Sequence, residues 1–123
     1  MIEDKRFVVA AAQATPELLD RESTIDKACH LIADAAGNRA RLVVFPEAFV
    51  PAYPDWVWSV PAWRQRVLDD LYSELVENSV SIPSEATARL CEAARKAKAY
   101  VAIGVNERNR EASGASLYNT LLY

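Results

Sequence analysis

The apolar residues in the first part of the chain follow a strand pattern and then a helix pattern. Residues 7–13 (FVVAAAQ) are a run of small and β-branched residues, which predicts a buried strand. Apolar positions then recur on one face of a helix, at Ile25, Cys29, Ile32 and Ala36. This helix begins either with Pro16 as its first residue or with Asp20 as its N-cap, and residues 37–38 (Gly-Asn) are typical of a helix end.

The rest of the chain predicts two more helices and a pair of strands. Apolar residues repeat every four positions, as in a helix, at Trp63, Val67, Leu71 and Leu75. An Ile-Pro pair at residues 82–83 interrupts the chain, and Ser84 caps a further helix whose inward face carries Ala86, Leu90, Ala94 and Ala97. Residues 100–105 and 116–123 are strand-like, and the polar segment between them, which contains Gly114, predicts an antiparallel hairpin with a long loop.

Together these elements predict an α/β fold. Residues 42–45 (LVVF) form the second strand, so the first two strands and the helix between them make a βαβ unit with parallel strands and a right-handed crossover. The order β-α-β-loop-α-α-β-β is a layered α/β architecture that no linker divides. We expect the helices to cover one face of the sheet and to leave the other bare, and the chain ends inside a strand, which indicates the front part of something larger.

Composition and charge narrow the class of protein. The 123 residues are 51% hydrophobic and 25% charged, as in an ordinary single domain. The net charge of −3 argues against a nucleic-acid partner, because binding to phosphates needs clustered Lys and Arg. No run reaches the ~18 apolar residues of a membrane span, and the acidic start MIEDKR lacks the basic region of a signal peptide. The sequence therefore predicts a cytoplasmic protein.

The two cysteines and the single histidine carry little chemistry by themselves. Cys29 and Cys91 lie far apart, each within a helical pattern and without a CxxC pair, so both are interpreted as reduced thiols. His30 is next to Cys29, but neighbouring residues on a helix point in different directions. Plain helical positions are therefore favoured over a catalytic or metal-binding pair.

The strongest candidate for chemistry is Glu47, in the stretch RLVVFPEAFVPAYPDW (residues 41–56). It follows Pro46 directly after the second strand, and functional groups of parallel α/β sheets gather just beyond the carboxyl ends of the strands. Neighbours such as Phe49 and Tyr53 would remove water from this carboxylate, as a general base working near neutral pH requires. A solvated glutamate at the entrance of a loop is the alternative, and the residues alone leave both open.

The same residues resemble those of a known family. The stretch VVFPEAFVPAYP is similar to the signature around the first catalytic residue of the nitrilase superfamily, the carbon–nitrogen hydrolases. Four stretches resemble the first four strands of that family, in the order VVAAAQATP, LVVFPEAF, AYVAIGVNER and LYNTLLY. The FPEAF and YP elements with nearby tryptophans look more like the nitrilase branch than the amidase or carbamoylase branches. The resemblance implies that residues 1–123 are the N-terminal portion of one four-layer α-β-β-α sandwich domain.

That resemblance also implies a Glu-Lys-Cys triad that hydrolyses a small nitrile to a carboxylic acid and ammonia. Glu47 would be the general base that takes the proton of a cysteine thiol, and the thiolate would form a thioimidate with the nitrile carbon. A lysine would stabilise the tetrahedral intermediates. No metal or organic cofactor is implied, and the family assembles as homo-oligomers, either dimers or spirals.

The sequence departs from the family pattern in one respect. In the family the lysine and the nucleophilic cysteine follow the fourth strand, and this chain ends before either. Neither Cys29 nor Cys91 matches the position of the family's nucleophilic cysteine. We therefore expect the 123-residue chain alone to be inactive. An amidase, a cyanide-degrading hydrolase and a non-catalytic fragment that acts in assembly are the alternatives.

Other residues near the motif have more than one interpretation. By analogy Tyr53 lies near the pocket and binds substrate, with simple packing as an equal alternative. Trp56 and Trp58 line that pocket or a subunit contact, or they pack in the core. Asn119 is expected to support the site structurally, since an amide on a strand needs a partner. Glu107 is expected at the end of a strand, solvated or salt-bridged, with a supporting role as an alternative.

Overall fold

A computed structural model of the chain describes residues 6–123. In chain order the elements are β1 (Val8–Ala11), α1 (Arg21–Gly37), β2 (Ala40–Val44), α2 (Trp56–Ser59), α3 (Gln65–Asn78), α4 (Glu85–Ala97), β3 (Tyr100–Arg108) and β4 (Leu117–Leu122). The predicted order is confirmed, with the short helix α2 added in the segment expected to be a loop. Residues 1–5, which hold most of the acidic start discussed above, lie outside the described residues.

The strands form one sheet in the order β1-β2-β3-β4. β1 and β2 are parallel, as are β2 and β3, whereas β3 and β4 are antiparallel. The parallel pairing of β1 with β2 is the one expected of a βαβ unit, and the antiparallel pairing confirms the predicted hairpin. Within residues 6–123 the fold is therefore a mixed α/β arrangement of four strands and four helices, which agrees with the predicted fold class.

The first helix starts at the second of the two predicted positions. Asp20 is its N-cap, and the Asp20 carboxylate accepts hydrogen bonds from the Ser23 N–H at 2.9 Å and from the Ser23 hydroxyl at 2.8 Å. These hydrogen bonds hold the pKa of Asp20 below its usual value. At the other end the Asn38 N–H donates to the Ala35 carbonyl at 3.1 Å. Both ends are thus set by side chains and backbone groups close in sequence.

The helix α4 also begins as predicted. The Ser84 hydroxyl accepts from the Thr87 N–H at 3.5 Å, and the Thr87 hydroxyl accepts from the Ser84 N–H at 2.9 Å, which is a reciprocal capping box. Ala86 and Leu90 are buried, in agreement with the predicted inward face. The other two residues of that face, Ala94 and Ala97, are half-buried, so the predicted face is buried most deeply in its first half.

The helix α3 forms where the four-residue repeat predicts a helix, but the residues of that repeat are not all within it and are not all buried. Trp63 precedes the helix and is 78% exposed, and Val67 is also exposed, whereas Leu75 and Val76 are buried. A helix turns by 3.6 residues, so each four-residue step overshoots a full turn by about 40°. Two such steps separate Val67 from Leu75, so their side chains point about 80° apart around the helix, and only Leu75 meets the core.

The helices α1 and α4 pack together on one face of the sheet. The apolar core beneath them contains Val43, Ile103 and Val105, all nearly inaccessible. Alternate strand residues point to the opposite face, where Val9 is 51% exposed and Leu121 is 59% exposed. These exposed fractions agree with the expectation that the helices cover one face and leave the other bare.

Candidate active site

The turn that carries Glu47 is anchored by two buried phenylalanines. The Phe45 N–H donates to the Ala102 carbonyl of β3 at 2.8 Å, which extends the pairing of β2 by one residue. The rings of Phe45 and Phe49 lie 5.3 Å apart, and both residues are at most 5% exposed. Glu47 lies between these anchors and is itself exposed. The predicted position, just beyond the carboxyl end of a parallel strand, is confirmed.

The turn lies directly against the backbone of β3 at Gly104. A β-carbon on Gly104 would lie 2.5 Å from the Pro46 carbonyl oxygen and 2.8 Å from the Glu47 Cα, so no larger residue fits there. Ala48, next in the turn, has a φ of 47°, a left-handed conformation that costs a residue with a side chain about 1–2 kcal/mol. Burial of Ala48 against the sheet offsets this cost, and the backbone of Glu47 is held in one position.

The carboxylate of Glu47 contacts Asn119 of β4. The Asn119 side-chain amide donates to Glu47 Oε1 at 2.6 Å, a short hydrogen bond of the kind that a charged acceptor makes. Asn119 lies opposite Asn106 in the β3–β4 ladder, and this pairing fixes the position of the Asn119 Cα. The structure therefore brings together two residues that the sequence analysis had singled out separately, and it gives Asn119 a defined partner.

Asn106 holds the segment that follows the turn, and the sequence analysis missed it. The Asn106 side-chain amide donates to the Ala52 carbonyl at 2.8 Å, and the Asn106 N–H donates to the Val50 carbonyl at 2.8 Å. Asn106 is only 7% exposed, so these bonds are sheltered from water. One signal in the sequence was available, because an asparagine that ends the apolar run YVAIGV needs a partner when it is buried.

Tyr53 follows the segment that Asn106 holds. It is 48% exposed, so its ring is available to a ligand rather than packed in the core. Within residues 6–123 Trp58 is 81% exposed and lies outside the core that these residues form, whereas Trp56 is half-buried. The expectation that these aromatic residues remove water from Glu47 is wrong for this chain. Tyr53 and Trp58 are themselves open to solvent, and so is Glu47.

Glu107 is separate from this cluster. β3 continues to Arg108, beyond the predicted end at residue 105, so Glu107 is a half-buried strand residue rather than a solvated strand end. Its carboxylate accepts a 2.7 Å hydrogen bond from the Thr120 hydroxyl. Glu107 follows Asn106 in β3, and Thr120 follows Asn119 in β4. Because successive strand residues point to opposite faces, Glu107 and Thr120 lie on the face opposite to the two asparagines.

The two cysteines lie within helices, as predicted. The thiol of Cys29 faces the Arg89 carbonyl oxygen at 3.9 Å, and burial raises the pKa of that thiol. A thiol with a raised pKa is a poor nucleophile because the thiolate is the reactive form. Cys91 is an exposed residue of α4 and His30 an exposed residue of α1. Glu47 has Asn119, not a cysteine, as its hydrogen-bond partner.

Residues 6–123 contain neither a cluster of metal-binding side chains nor a helix that could span a membrane. No group of three or more His, Cys, Asp or Glu side chains in that range has an arrangement that could hold a metal ion. None of the helices in the same range combines the length and the apolar character needed to cross a membrane.

Comparisons with known proteins show which family the sequence is similar to. Residues 8–123 match the family model described as carbon-nitrogen hydrolase. The chain is 43% identical over 118 residues to a nitrilase of Bacillus sp. (strain OxB-1), an alignment that covers 96% of this chain and 32% of that protein. It is 44% identical over 110 residues to an arylacetonitrilase of Aspergillus niger, covering 89% of this chain and 30% of the relative. An aliphatic nitrilase of Rhodococcus rhodochrous is 40% identical over 117 residues, with 94% of this chain and 30% of the relative covered. The chain spans about a third of the length of these curated relatives.

Proposed function

Because the chain belongs to the carbon–nitrogen hydrolase family, we propose that the protein it comes from hydrolyses nitriles to carboxylic acids and ammonia, with Glu47 as the general base. The observation that carries this proposal is the Glu47 carboxylate, held by Asn119 just beyond the carboxyl end of β2 and open to solvent. A general base needs a fixed position and an oxygen within reach of the proton that it takes. The names of the relatives, nitrilase and arylacetonitrilase, support a nitrile as the substrate.

In the proposed reaction a nitrile and two molecules of water give a carboxylic acid and ammonia. Glu47 takes the proton of a cysteine thiol, the sulfur bonds to the nitrile carbon, and Glu47 passes the same proton to the nitrile nitrogen, which gives a thioimidate and a free carboxylate. Glu47 then takes a proton from water as its oxygen bonds to the same carbon, and passes that proton to the nitrogen. The remaining hydroxyl proton also moves to the nitrogen as the carbon–nitrogen bond breaks, so ammonia leaves and a thioester remains. A second water, activated in the same way, displaces the sulfur and releases the acid and the free thiol.

Two members of the proposed triad have no assigned residue in this chain. Cys29 and Cys91 are rejected as the nucleophile because both lie within the helices α1 and α4, which pack on the sheet face opposite to the one that carries Asn119, and Cys29 faces a backbone carbonyl. A lysine in the complete protein would stabilise the charge that develops on the tetrahedral intermediates. Within this chain the proposed contribution to chemistry is that of Glu47.

Tyr53 is the proposed substrate-binding residue. Its ring is half exposed, and the residue before it, Ala52, is held by the Asn106 amide. An aromatic ring on an anchored backbone provides a flat apolar surface at little entropic cost. We propose that this ring contacts the carbon skeleton of the nitrile, while Glu47 works at the reacting group.

We also propose that the protein is a cytoplasmic homo-oligomer. Trp58 and Trp63 are 81% and 78% exposed, and large apolar side chains at this level of exposure favour a contact with another subunit. Sedimentation of the complete protein should give a mass of at least two subunits. A monomer at working concentration would contradict the proposed assembly without affecting the proposed reaction.

The reaction is tested by assaying the complete protein that contains this chain. Phenylacetonitrile, benzonitrile and butyronitrile, the matching amides and cyanide are supplied separately, and ammonia and acid are measured. We expect at least one nitrile to release acid and ammonia in equal amounts, at a higher kcat/KM than its amide. Ammonia from the amides alone would make the protein an amidase, and turnover of cyanide alone would make it a cyanide-degrading hydrolase. Either outcome contradicts the proposed substrate.

A further inference from the structure

We propose that Asn119 is a positioning residue that fixes the carboxylate of Glu47 and selects which of its oxygens takes the proton. This role depends on the proposed function of Glu47 as general base. The hydrogen bond joins Asn119 Nδ2 to Glu47 Oε1 at 2.6 Å, although 72 residues separate the two in sequence. Asn119 contacts the base and not the reacting atoms, so it would act through Glu47.

The backbones at both ends of this hydrogen bond are fixed. The Cα of Glu47 is pressed against Gly104, where there is no room for a β-carbon. Asn119 lies opposite Asn106 in the ladder between β4 and β3, and Asn106 is itself buried. A hydrogen bond between two exposed side chains normally contributes little, because both chains lose freedom when they form it. Here both backbones are held by other contacts, so the hydrogen bond has only the side-chain torsions left to order.

The chemistry of the pair also fixes the orientation of the amide. A carboxylate oxygen can only accept, so the NH₂ group of Asn119 and not its carbonyl oxygen must face Glu47. With Oε1 engaged in this way, Oε2 is the oxygen that remains open for the proton of the thiol or of water. The terminal torsion of a free glutamate side chain takes a broad range of angles, and the hydrogen bond from Asn119 restricts that range. A displacement of about 1 Å in a catalytic group can cost about 10²-fold in rate.

The alternative is that Asn119 serves only the stability of the β3–β4 hairpin. The two roles predict different kinetics. Loss of a positioning residue lowers kcat in folded protein and leaves KM nearly unchanged, whereas loss of a purely structural residue lowers the melting temperature and affects activity only through unfolding.

The test uses three variants of Asn119 in the complete protein. Asn119→Leu and Asn119→Asp keep the approximate size of the side chain but remove the N–H donor, and Asn119→Gln keeps the donor on a longer stem. Thr120→Val is the matched control, because it removes a 2.7 Å hydrogen bond to a different carboxylate, that of Glu107, from the neighbouring residue of the same strand. For each variant kcat, KM and the melting temperature are measured.

We expect Asn119→Leu and Asn119→Asp to lower kcat by about 10- to 10²-fold with KM within about threefold. Asn119→Gln should recover part of that loss, and Thr120→Val should keep kcat within about threefold. A normal kcat in Asn119→Leu and Asn119→Asp, or equal losses in all three Asn119 variants together with a lowered melting temperature, would overturn the positioning role. If Glu47→Gln abolishes turnover while Asn119→Leu does not, only this inference fails. If Glu47→Gln retains full turnover, the proposed function fails.

Discussion

Gly104 lies so close to Pro46 that a β-carbon on Gly104 would be 2.5 Å from the Pro46 carbonyl oxygen. The same β-carbon would be 2.5 Å from the Ala48 nitrogen and 2.8 Å from the Glu47 Cα. All three atoms belong to the backbone, so the rotation of a side chain cannot relieve the overlap. The position of Glu47 relative to β3 therefore depends on residue 104 having no side chain.

Gly104→Ala in the complete protein is expected to displace the turn and to lower both turnover and stability. Forcing one extra carbon into a filled site typically costs about 1–3 kcal/mol, and the displaced base should lower kcat by about 10²-fold. Gly114→Ala is the matched control, because a β-carbon on Gly114 would meet nothing within 4 Å. Chemical denaturation and steady-state kinetics measure the two effects. Equal behaviour of the two variants would contradict the close approach at Gly104.

Asn106→Leu tests the segment that connects the turn to Tyr53. Leucine has nearly the same size as asparagine, but it leaves the Ala52 carbonyl without the amide that donates to it at 2.8 Å. A buried polar group left unpaired costs about 1–3 kcal/mol, and we expect the midpoint of urea unfolding of the complete protein to fall accordingly. KM should rise because Tyr53 loses its anchored neighbour. An unchanged midpoint together with an unchanged KM would show that Asn106 does not hold this segment.

The cysteines of this chain are expected to be dispensable. Replacing both, by Cys29→Ala and Cys91→Ser, should leave the turnover of the complete protein within about threefold of the original. Because burial raises the pKa of the Cys29 thiol, less of it is thiolate at a given pH, and iodoacetamide should modify the exposed Cys91 faster than Cys29. Loss of turnover in folded Cys29→Ala protein would identify Cys29 as the nucleophile and contradict its rejection.

A polypeptide limited to residues 1–123 is expected to associate and to show no nitrile turnover. Tyr100 is 78% exposed and Leu121 59% exposed on the sheet face opposite the helices, and apolar surface of this kind drives association. Turnover should be absent because no residue of this polypeptide is proposed as the nucleophile. Sedimentation and an ammonia assay test the two parts. A monodisperse monomer, or ammonia release above the blank, would contradict the corresponding expectation.

Several features of the fold could be predicted because they depend on residues close together in sequence. Asp20 and Ser84 are recognisable as helix caps from the few residues after them, and both caps are confirmed. The position of Glu47 just beyond a strand could also be predicted locally, from the apolar run and the proline before it. The family resemblance identifies the same residue. The four-residue repeat correctly indicated α3, and no buried face could be assigned from it because spacing alone does not show which side meets the core.

The contacts that build the site could not be predicted, because they join distant parts of the chain. The bond between Asn106 and Ala52 spans 54 residues and that between Asn119 and Glu47 spans 72. A single sequence does not show the register between β3 and the turn, so the close approach of the turn to Gly104 could not be predicted. The exposure of Glu47 was predicted wrongly for a related reason. Aromatic residues near it in sequence, such as Tyr53, project into solvent instead of covering it.

The measurement that tests the central claim most directly is the turnover of Glu47→Gln in the complete protein, with Glu107→Gln as control. Glutamine keeps the size of the side chain and still accepts from Asn119, but it cannot take a proton. Loss of a general base typically lowers the rate by about 10²–10⁴-fold, and the melting temperature should stay level because residue 47 is exposed. Glu107→Gln still accepts from Thr120 and should keep turnover within about threefold. A near-normal rate in Glu47→Gln, or a loss that follows only from unfolding, would contradict the role of Glu47 as the base.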